Sequence, residues 1–241
     1  MIQLDQLPKT LADLPDAPMI SMESPLILVG GGDIDLPQLQ GFAESYPIVA
    51  VDGGISSVLA AGLSPSLLLG DFDSIQPADI PDDVPMVHIT DQYSTDFEKA
   101  LAVVSAPLLL GFGFLGKRLD HSLAALHALA GQYAKTPIVL IDPHDAVICC
   151  RGAIELDLPA SARCSIWPIT TQQFSKSTGL RWPLDGLNLA VGQELGTSNQ
   201  VVEGHGNQQV IIHGVEEDDG YFILTEPEHA PALIAAARAS T

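Results

Sequence analysis

Positive charge is scarce in this chain. Lys and Arg number 10 against 30 Asp and Glu in 241 residues, a formal charge of −20. That field opposes nucleic acid or an anionic membrane surface as the main partner. A polyphosphate ligand would need metal ions and a few well-placed basic residues to overcome it. Cysteine is also sparse. Cys149, Cys150 and Cys164 are odd in number and lack metal-ligand spacing, so they read as thiols in a reducing compartment. No apolar run is long enough to span a bilayer, and no basic stretch followed by an apolar one marks a secretory signal at the start. These scarcities point to a soluble cytoplasmic protein. Hydrophobic residues make up 46% of the chain, which excludes a largely disordered one and supports a sizeable core.

Apolar runs alternate with helical patterns from residue 25 onward. Strands are expected at 26–29, 48–51, 67–69, 86–89, 108–110 and 138–141, with helices at 36–45 and 55–61, after residue 95, and up to about residue 133. Short runs apolar on both faces suit a parallel sheet, and the alternation implies crossover connections that deliver every loop to one edge. Thr95, Asp96, Phe97 and Glu98 match a capping box, with Thr95 as N-cap and Glu98 reaching back. After residue 142 the texture changes to short Val-, Ile- and Cys-containing segments between turn residues. Strands at 146–150, 154–158, 164–167, 210–213 and 221–224 suit an antiparallel sandwich or barrel, and a short helix at 230–239 closes the chain. The fold class is therefore α/β plus all-β: a Rossmann-like parallel sheet with flanking helices, then an antiparallel β-sandwich. Residues 1–24 form an extension without a sustained pattern, 25–144 the α/β domain and 145–241 the sandwich.

The organising stretch is Leu67-Leu68-Leu69-Gly70-Asp71-Phe72-Asp73-Ser74. A buried strand breaks at glycine, and two carboxylates follow at i, i+2. On extended backbone these would point the same way, and a hard divalent cation would relieve their repulsion. The bland alternative is a turn, which needs only one of them. Asp52 and Asp96 fall on the same sheet edge, with Lys99, Lys117 and Arg118 at that edge or just inside the helices. Carboxylates and a few cations converging from separate loops suit a metal–polyphosphate site. The run Gly30-Gly31-Gly32 could let a phosphate approach, but it lacks the spacing of a dinucleotide or Walker loop and, taken alone, reads as a tight turn.

These residues resemble the thiamine pyrophosphokinase family. The resemblance rests on Val51-Asp52-Gly53-Gly54, Gly70-Asp71-Phe72-Asp73-Ser74, Ser94-Thr95-Asp96-Phe97-Glu98-Lys99-Ala100-Leu101 and Gly116-Lys117-Arg118-Leu119-Asp120-His121. It extends to Ser177-Thr178-Gly179-Leu180-Arg181-Trp182-Pro183-Leu184 and Gly196-Thr197-Ser198-Asn199, in order across roughly residues 26–224. It implies transfer of pyrophosphate from ATP to the hydroxyl of thiamine, giving thiamine diphosphate and AMP, in a homodimer with shared active sites. It implies Mg2+ held by Asp52, Asp71, Asp73 and Asp96. Gln92, Thr95, Lys99, Arg118 and Asp120 would meet ATP or its phosphates, and Ser198, Asn199 and Trp182 would lie near thiamine. Asp71, Asp73 or Asp120 would accept the hydroxyl proton.

Alternatives stand beside several of these. Asp120 is also a helix cap, His121 a structural hydrogen-bonding residue, and Trp182 reads first as sandwich core, with stacking on a cationic ring second. Tyr93 stands where many relatives carry a further Asp. A pyrophosphokinase for another small alcohol such as a pterin, or a binding module without turnover, remains the competing reading.

Overall fold

The computed structural model describes residues 20–73, 75, 80–89, 93–132 and 136–239. The chain divides into two compact units, residues 1–132 and 133–241.

In the first unit, β1 (Ile20–Ser21) pairs in parallel with β6 (Val104–Ser105), a two-stranded ribbon outside the expected strands. The expected alternation follows: β2 (Leu26–Val29), α1 (Leu36–Ala43), β3 (Ile48–Val51), α2 (Gly54–Ala60), β4 (Leu67–Gly70), β5 (Met86–His88), α3 (Asp96–Val103), β7 (Leu109–Phe112) and α4 (Leu119–Gln132). The strands lie in the order β7-β2-β3-β4-β5, and each pair is parallel. Every residue of β2, β3, β4 and β7 is buried, which is why these segments are continuously apolar. β3, β4 and β5 follow β2 outward on one side, whereas β7 returns to its other side. Loops after β2 and β7 therefore diverge, and such a reversal of strand order opens a crevice at the carboxyl ends of the strands.

The second unit contains β8 (Ile138–Ile141), β9 (Ala146–Cys150), β10 (Ala153–Pro159), β11 (Ser165–Pro168), β12 (Thr171–Thr178), β13 (Asn188–Ala190), β14 (Asn207–Gly214), β15 (Tyr221–Thr225) and α5 (Ala230–Ala239). Strand β8 pairs antiparallel with β9 and falls in this unit. The pairs β8-β9, β9-β15 and β15-β11 are antiparallel, as are β10-β14, β14-β12 and β12-β13 in a second sheet. Along β10 exposed and buried residues alternate, the mark of a sheet with one solvated face. Phe174 of β12 meets Tyr221 of β15 edge to face at 5.0 Å, and the Tyr221 hydroxyl donates to the Gly152 carbonyl at 3.0 Å. The ring pair packs one sheet onto the other while its polar tip is satisfied.

Cys149, Cys150 and Cys164 are buried free thiols of this unit. Burial pushes the Cys149 thiol up to about 12 despite Arg151, and burial with Glu226 nearby does the same to Cys164. Thiolate, not thiol, attacks disulfides. The native protein should therefore leave an aromatic disulfide reagent unreacted over minutes at mildly alkaline pH, and release all 3 equivalents once unfolded. Rapid reaction of a native equivalent would contradict this burial.

Candidate functional site

At the crevice between the β2 and β7 loops lies a cavity of about 700 Å3. Its lining comes from five loops or helix starts of the first unit. These are residues 30–32 after β2, Asp52 and Gly53 after β3, Asp71 after β4, residues 94–99 at α3, and residues 113–118 leading into α4.

The glycines after β2 meet the β7 loop. A Cβ on Gly30 would lie 2.7 Å from the Gly113 carbonyl oxygen, and one on Gly32 2.6 Å from it. The Gly30 N–H donates to Phe112 O at 2.8 Å and the Gly32 N–H to Gly113 O at 2.7 Å. The glycines thus permit two loops to touch at the cavity floor, while those two N–H groups serve the loop contact. The run bends rather than forming a hydrogen-bonded turn, and it lines the cavity. The Lys117 ammonium, on a residue of positive φ (46°), ties the two loops further by donating to Gly31 O at 2.8 Å.

Asp71 and Asp73 diverge. Phe72 has φ 63°, so the backbone is not extended there and the i, i+2 rule does not apply. Asp71 lines the cavity, whereas Asp73 is exposed and not in its lining; the Asp73 N–H donates to Asp71 Oδ1 at 3.3 Å. A left-handed aromatic residue costs about 1–3 kcal/mol and needs support. His88 supplies it: its ring stacks on Phe72 at 5.2 Å, and its Nε2 lies 3.1 Å from the Asp71 carbonyl oxygen.

The capping box at α3 forms as expected. The Glu98 N–H donates to Thr95 Oγ1 at 3.3 Å, and the Thr95 N–H donates to Glu98 Oε2 at 2.8 Å. Asp96 occupies the first turn and Lys99 follows three residues later on the same face. Lys99 is 2% exposed, and its ammonium donates to Asp71 Oδ2 at 2.9 Å and Asp96 Oδ1 at 3.0 Å. Burial pulls Lys99 toward neutrality, but hydrogen bonds to Asp71 and Asp96 and their charges outweigh it and leave it above its ordinary value. Asp96 is also raised, first by burial and then by the charges of Asp52 and Asp71, against the opposing pull of Lys99. The two shifts are compatible: the lysine stays charged between Asp71 and Asp96, and it is chiefly burial that raises Asp96.

At the cavity mouth, Arg118 and Asp120 hold each other. Nε donates to Oδ1 at 3.1 Å and Nη2 to Oδ2 at 2.6 Å, with both side chains more than half exposed. Asp120 is lowered by its hydrogen bond from Arg118. Arg118 lines the cavity, and so does His121. Gln92, like Ser74, lies outside the described residues.

The carboxylate oxygens suit a hard cation in chemistry. In geometry, among the described residues no group of three or more Asp, Glu, His or Cys side chains is placed to hold an ion. Asp52, Asp71, Asp73 and Asp96 are thus no ready-made cage. They fit Mg2+ only as it is usually held with nucleotides, through one or two carboxylates with phosphates and water completing the shell.

In the second unit, Trp182 is not sandwich core, as its first reading had it: it is 52% exposed. It sits on a turn rather than in a strand. The Arg181 guanidinium lies 4.9 Å from its ring centroid, so its face already accepts a cation. Asn199 is buried and fixes that turn. Its Oδ1 accepts from the Trp182 N–H at 3.2 Å and its Nδ2 donates to Trp182 O at 2.7 Å. Ser198 has φ 60°, and its N–H donates to Ser165 Oγ at 2.9 Å.

Sequence reading missed residues 113–115 as lining; the only signal was Gly111-Phe112-Gly113 directly after an apolar run.

Comparison with known proteins places this chain beside one group. The family model described as Thiamin pyrophosphokinase, catalytic domain, matches residues 40–140, and that described as Thiamin pyrophosphokinase, vitamin B1 binding domain, matches residues 153–212. The chain is 28% identical over 193 residues to the Thiamine pyrophosphokinase of Bacillus subtilis, covering 75% of this chain and 90% of the relative. It is 28% identical over 171 residues to Thiamin pyrophosphokinase 1 of Caenorhabditis elegans, covering 64% and 70% respectively. Among solved structures it is similar to yeast thiamin pyrophosphokinase, with a TM-score of 0.73 at 16% identity over 91% of this chain and 94% of that one, a likeness of fold.

Proposed function

The chain belongs to the thiamin pyrophosphokinase family, and on that premise we propose that it transfers the pyrophosphoryl group of Mg2+-bound ATP to the hydroxyl of thiamine. The new bond joins the thiamine oxygen to the β-phosphorus, the bond from that phosphorus to the bridging oxygen on the α side breaks, and AMP leaves. The observation that carries this is the cavity at the reversal of strand order, where carboxylates and cations from separate loops meet. That order also supports the Rossmann-like reading.

In this proposal Lys117 and Arg118 face the phosphates, and Arg118 exchanges Asp120 for a phosphate oxygen in the fork geometry that suits both. Asp120, once released, joins Asp71 and Asp73 as a candidate to accept the hydroxyl proton. Thr95 orders the start of α3 at the cavity, and Gln92 contacts ATP. A bound metal would neutralise phosphate oxygens, and one or two of the carboxylates Asp52, Asp71, Asp73 and Asp96 would hold it. Residues 25–144 would serve as the ATP-binding region and 145–241 as the thiamine-binding region. There Trp182, steadied by Asn199 and next to Ser198, presents an aromatic face suited to the cationic thiazolium. A cytoplasmic homodimer with shared active sites completes the proposal; among the described residues no helix is long and apolar enough to cross a membrane.

Such transfer relies on positioning and electrostatics more than on a strong base. The test is AMP release from ATP against a panel of alcohols. Thiamine should drive it and a pterin alcohol should not. Release driven by the pterin, or binding of ATP and thiamine without release, would replace this reading with one of its competitors.

A further inference from the structure

Lys99 is the most deeply buried of the cations that line the first unit's cavity, and its ammonium is engaged by two carboxylates. It reaches from the second turn of α3 back across the helix start to Asp96 and outward to Asp71 at the end of β4, joining two separate elements. Its side chain is 3% exposed, against 18% for Asp71 and 42% for Asp96. The ammonium therefore lies on the protein side of the two carboxylates. Between them it does what a bound cation would do: it neutralises part of their charge and fixes their separation.

We propose that Lys99 is a tethered cation that holds Asp71 and Asp96 in place in the nucleotide-free protein and keeps the acidic cluster from binding a bare divalent ion. This rests on the nucleotide reading above. Its consequence is an order of events: the divalent ion enters with the phosphates that complete its coordination rather than ahead of them. The absence of a ready-made ligand group among the described residues, despite converging carboxylates, is then a property of the site with its lysine in place. Lys99 thereby acts through Asp71 and Asp96 as a positioning residue.

The charges give the direction of the test. The Lys99 ammonium lies 2.9 Å from Asp71 Oδ2 and 3.0 Å from Asp96 Oδ1, so it offsets part of the charge of both. Lys99→Met keeps length and helix propensity while deleting that charge. A unit charge within hydrogen-bonding range of two carboxylates makes a difference of at least about tenfold in their affinity for another cation, even at a high effective dielectric. Lys99→Arg keeps the charge.

The experiment measures Mn2+ binding by its paramagnetic resonance signal to nucleotide-free wild type, Lys99→Met and Lys99→Arg, with thermal melts of each in parallel. Wild type and Lys99→Arg should bind bare Mn2+ weakly, and Lys99→Met at least about tenfold more tightly. Mn2+ should then raise the melting temperature of Lys99→Met more than that of wild type, because a ligand that binds only the folded state stabilises it. Equal Mn2+ affinity in all three proteins, or tight binding by wild type, would overturn the proposal. So would a Lys99→Met protein that loses affinity for Mn2+ with α,β-methylene ATP without gaining any for bare Mn2+, since Lys99 would then be a phosphate contact. If Lys99→Met does not fold, tight bare-ion binding by wild type still overturns the proposal and weak binding by wild type and Lys99→Arg still supports it. Failure of α,β-methylene ATP to recruit Mn2+ to wild type is a separate result that would sink the nucleotide reading instead.

Discussion

Asp71→Asn is expected to lower kcat by more than about a hundredfold, the scale on which removal of a principal electrostatic group acts. The side chain lines the cavity, is 18% exposed, and supplies the oxygen nearest the Lys99 ammonium. The amide keeps the volume and one acceptor but loses the charge that both the lysine and a nucleotide-borne ion would use. Lys99 retains Asp96 at 3.0 Å, so the folded state should survive, with a lower melting temperature from one weakened buried ion pair. Asp73→Asn provides the contrast. That side chain is exposed and absent from the cavity lining, so a loss nearer tenfold is expected in the same assay. A matched loss at both positions would mean that the two carboxylates act together, and an unchanged rate for Asp71→Asn would remove it from the reaction. Steady-state AMP release with circular dichroism on each variant separates these outcomes.

The second large effect concerns folding. Gly54→Ala should cost at least about 3 kcal/mol, at the upper end for overpacking a tight site. A Cβ on Gly54 would stand 1.8 Å from the Val29 carbonyl oxygen and 2.5 Å from its carbon. Both are backbone atoms of the central strand β2, whose neighbours β3 and β7 hold it on either side. No side-chain rotation relieves the clash, so α2 must move away from β2. For a chain of this size that loss corresponds to a fall of roughly 10 °C in the unfolding midpoint. A midpoint unchanged from wild type would show that α2 does not approach β2 as closely as described.

The parts legible in the sequence are those fixed locally. Segments 26–29, 48–51 and 138–141 match their strands end to end because parallel or doubly covered strands carry uninterrupted apolar runs. The start of α3 was readable because Thr95 and Glu98 satisfy each other's backbone without help from elsewhere. What escaped depends on distant contacts. β12 has Phe174 as its only large apolar residue among eight, and it buries Gln172 completely. Its Nε2 donates to Gln173 O at 2.8 Å and to the remote Val215 O at 3.1 Å, while its buried Oε1 has no partner among the described residues. The antiparallel pairing of β8 with β9 is likewise invisible in its uninterrupted apolar run.

The candidate site divides in the same way. Apolar runs that end at a strand edge located Asp52 and Asp71, and the capping box at Thr95 and Glu98 located Asp96. The left-handed turn at Phe72 that parts Asp73 from Asp71 is imposed by His88, which is remote in sequence. Lys99 was assigned to ATP through resemblance, whereas its burial against two carboxylates is visible only once β4 and α3 stand side by side. The burial of Asn199 behind the Trp182 turn likewise depends on two segments meeting.

The most direct measurement of the central claim follows the phosphorus atoms of ATP. Radiolabelled ATP, carrying label on the β-phosphorus in one sample and on the γ-phosphorus in another, is incubated with the protein, Mg2+ and thiamine. The products are then separated by ion exchange. The account predicts that both labels appear in thiamine diphosphate in equal yield, matched by unlabelled AMP. Label from the γ position alone in a thiamine monophosphate, with the β label retained in ADP, would contradict transfer of an intact pyrophosphoryl group.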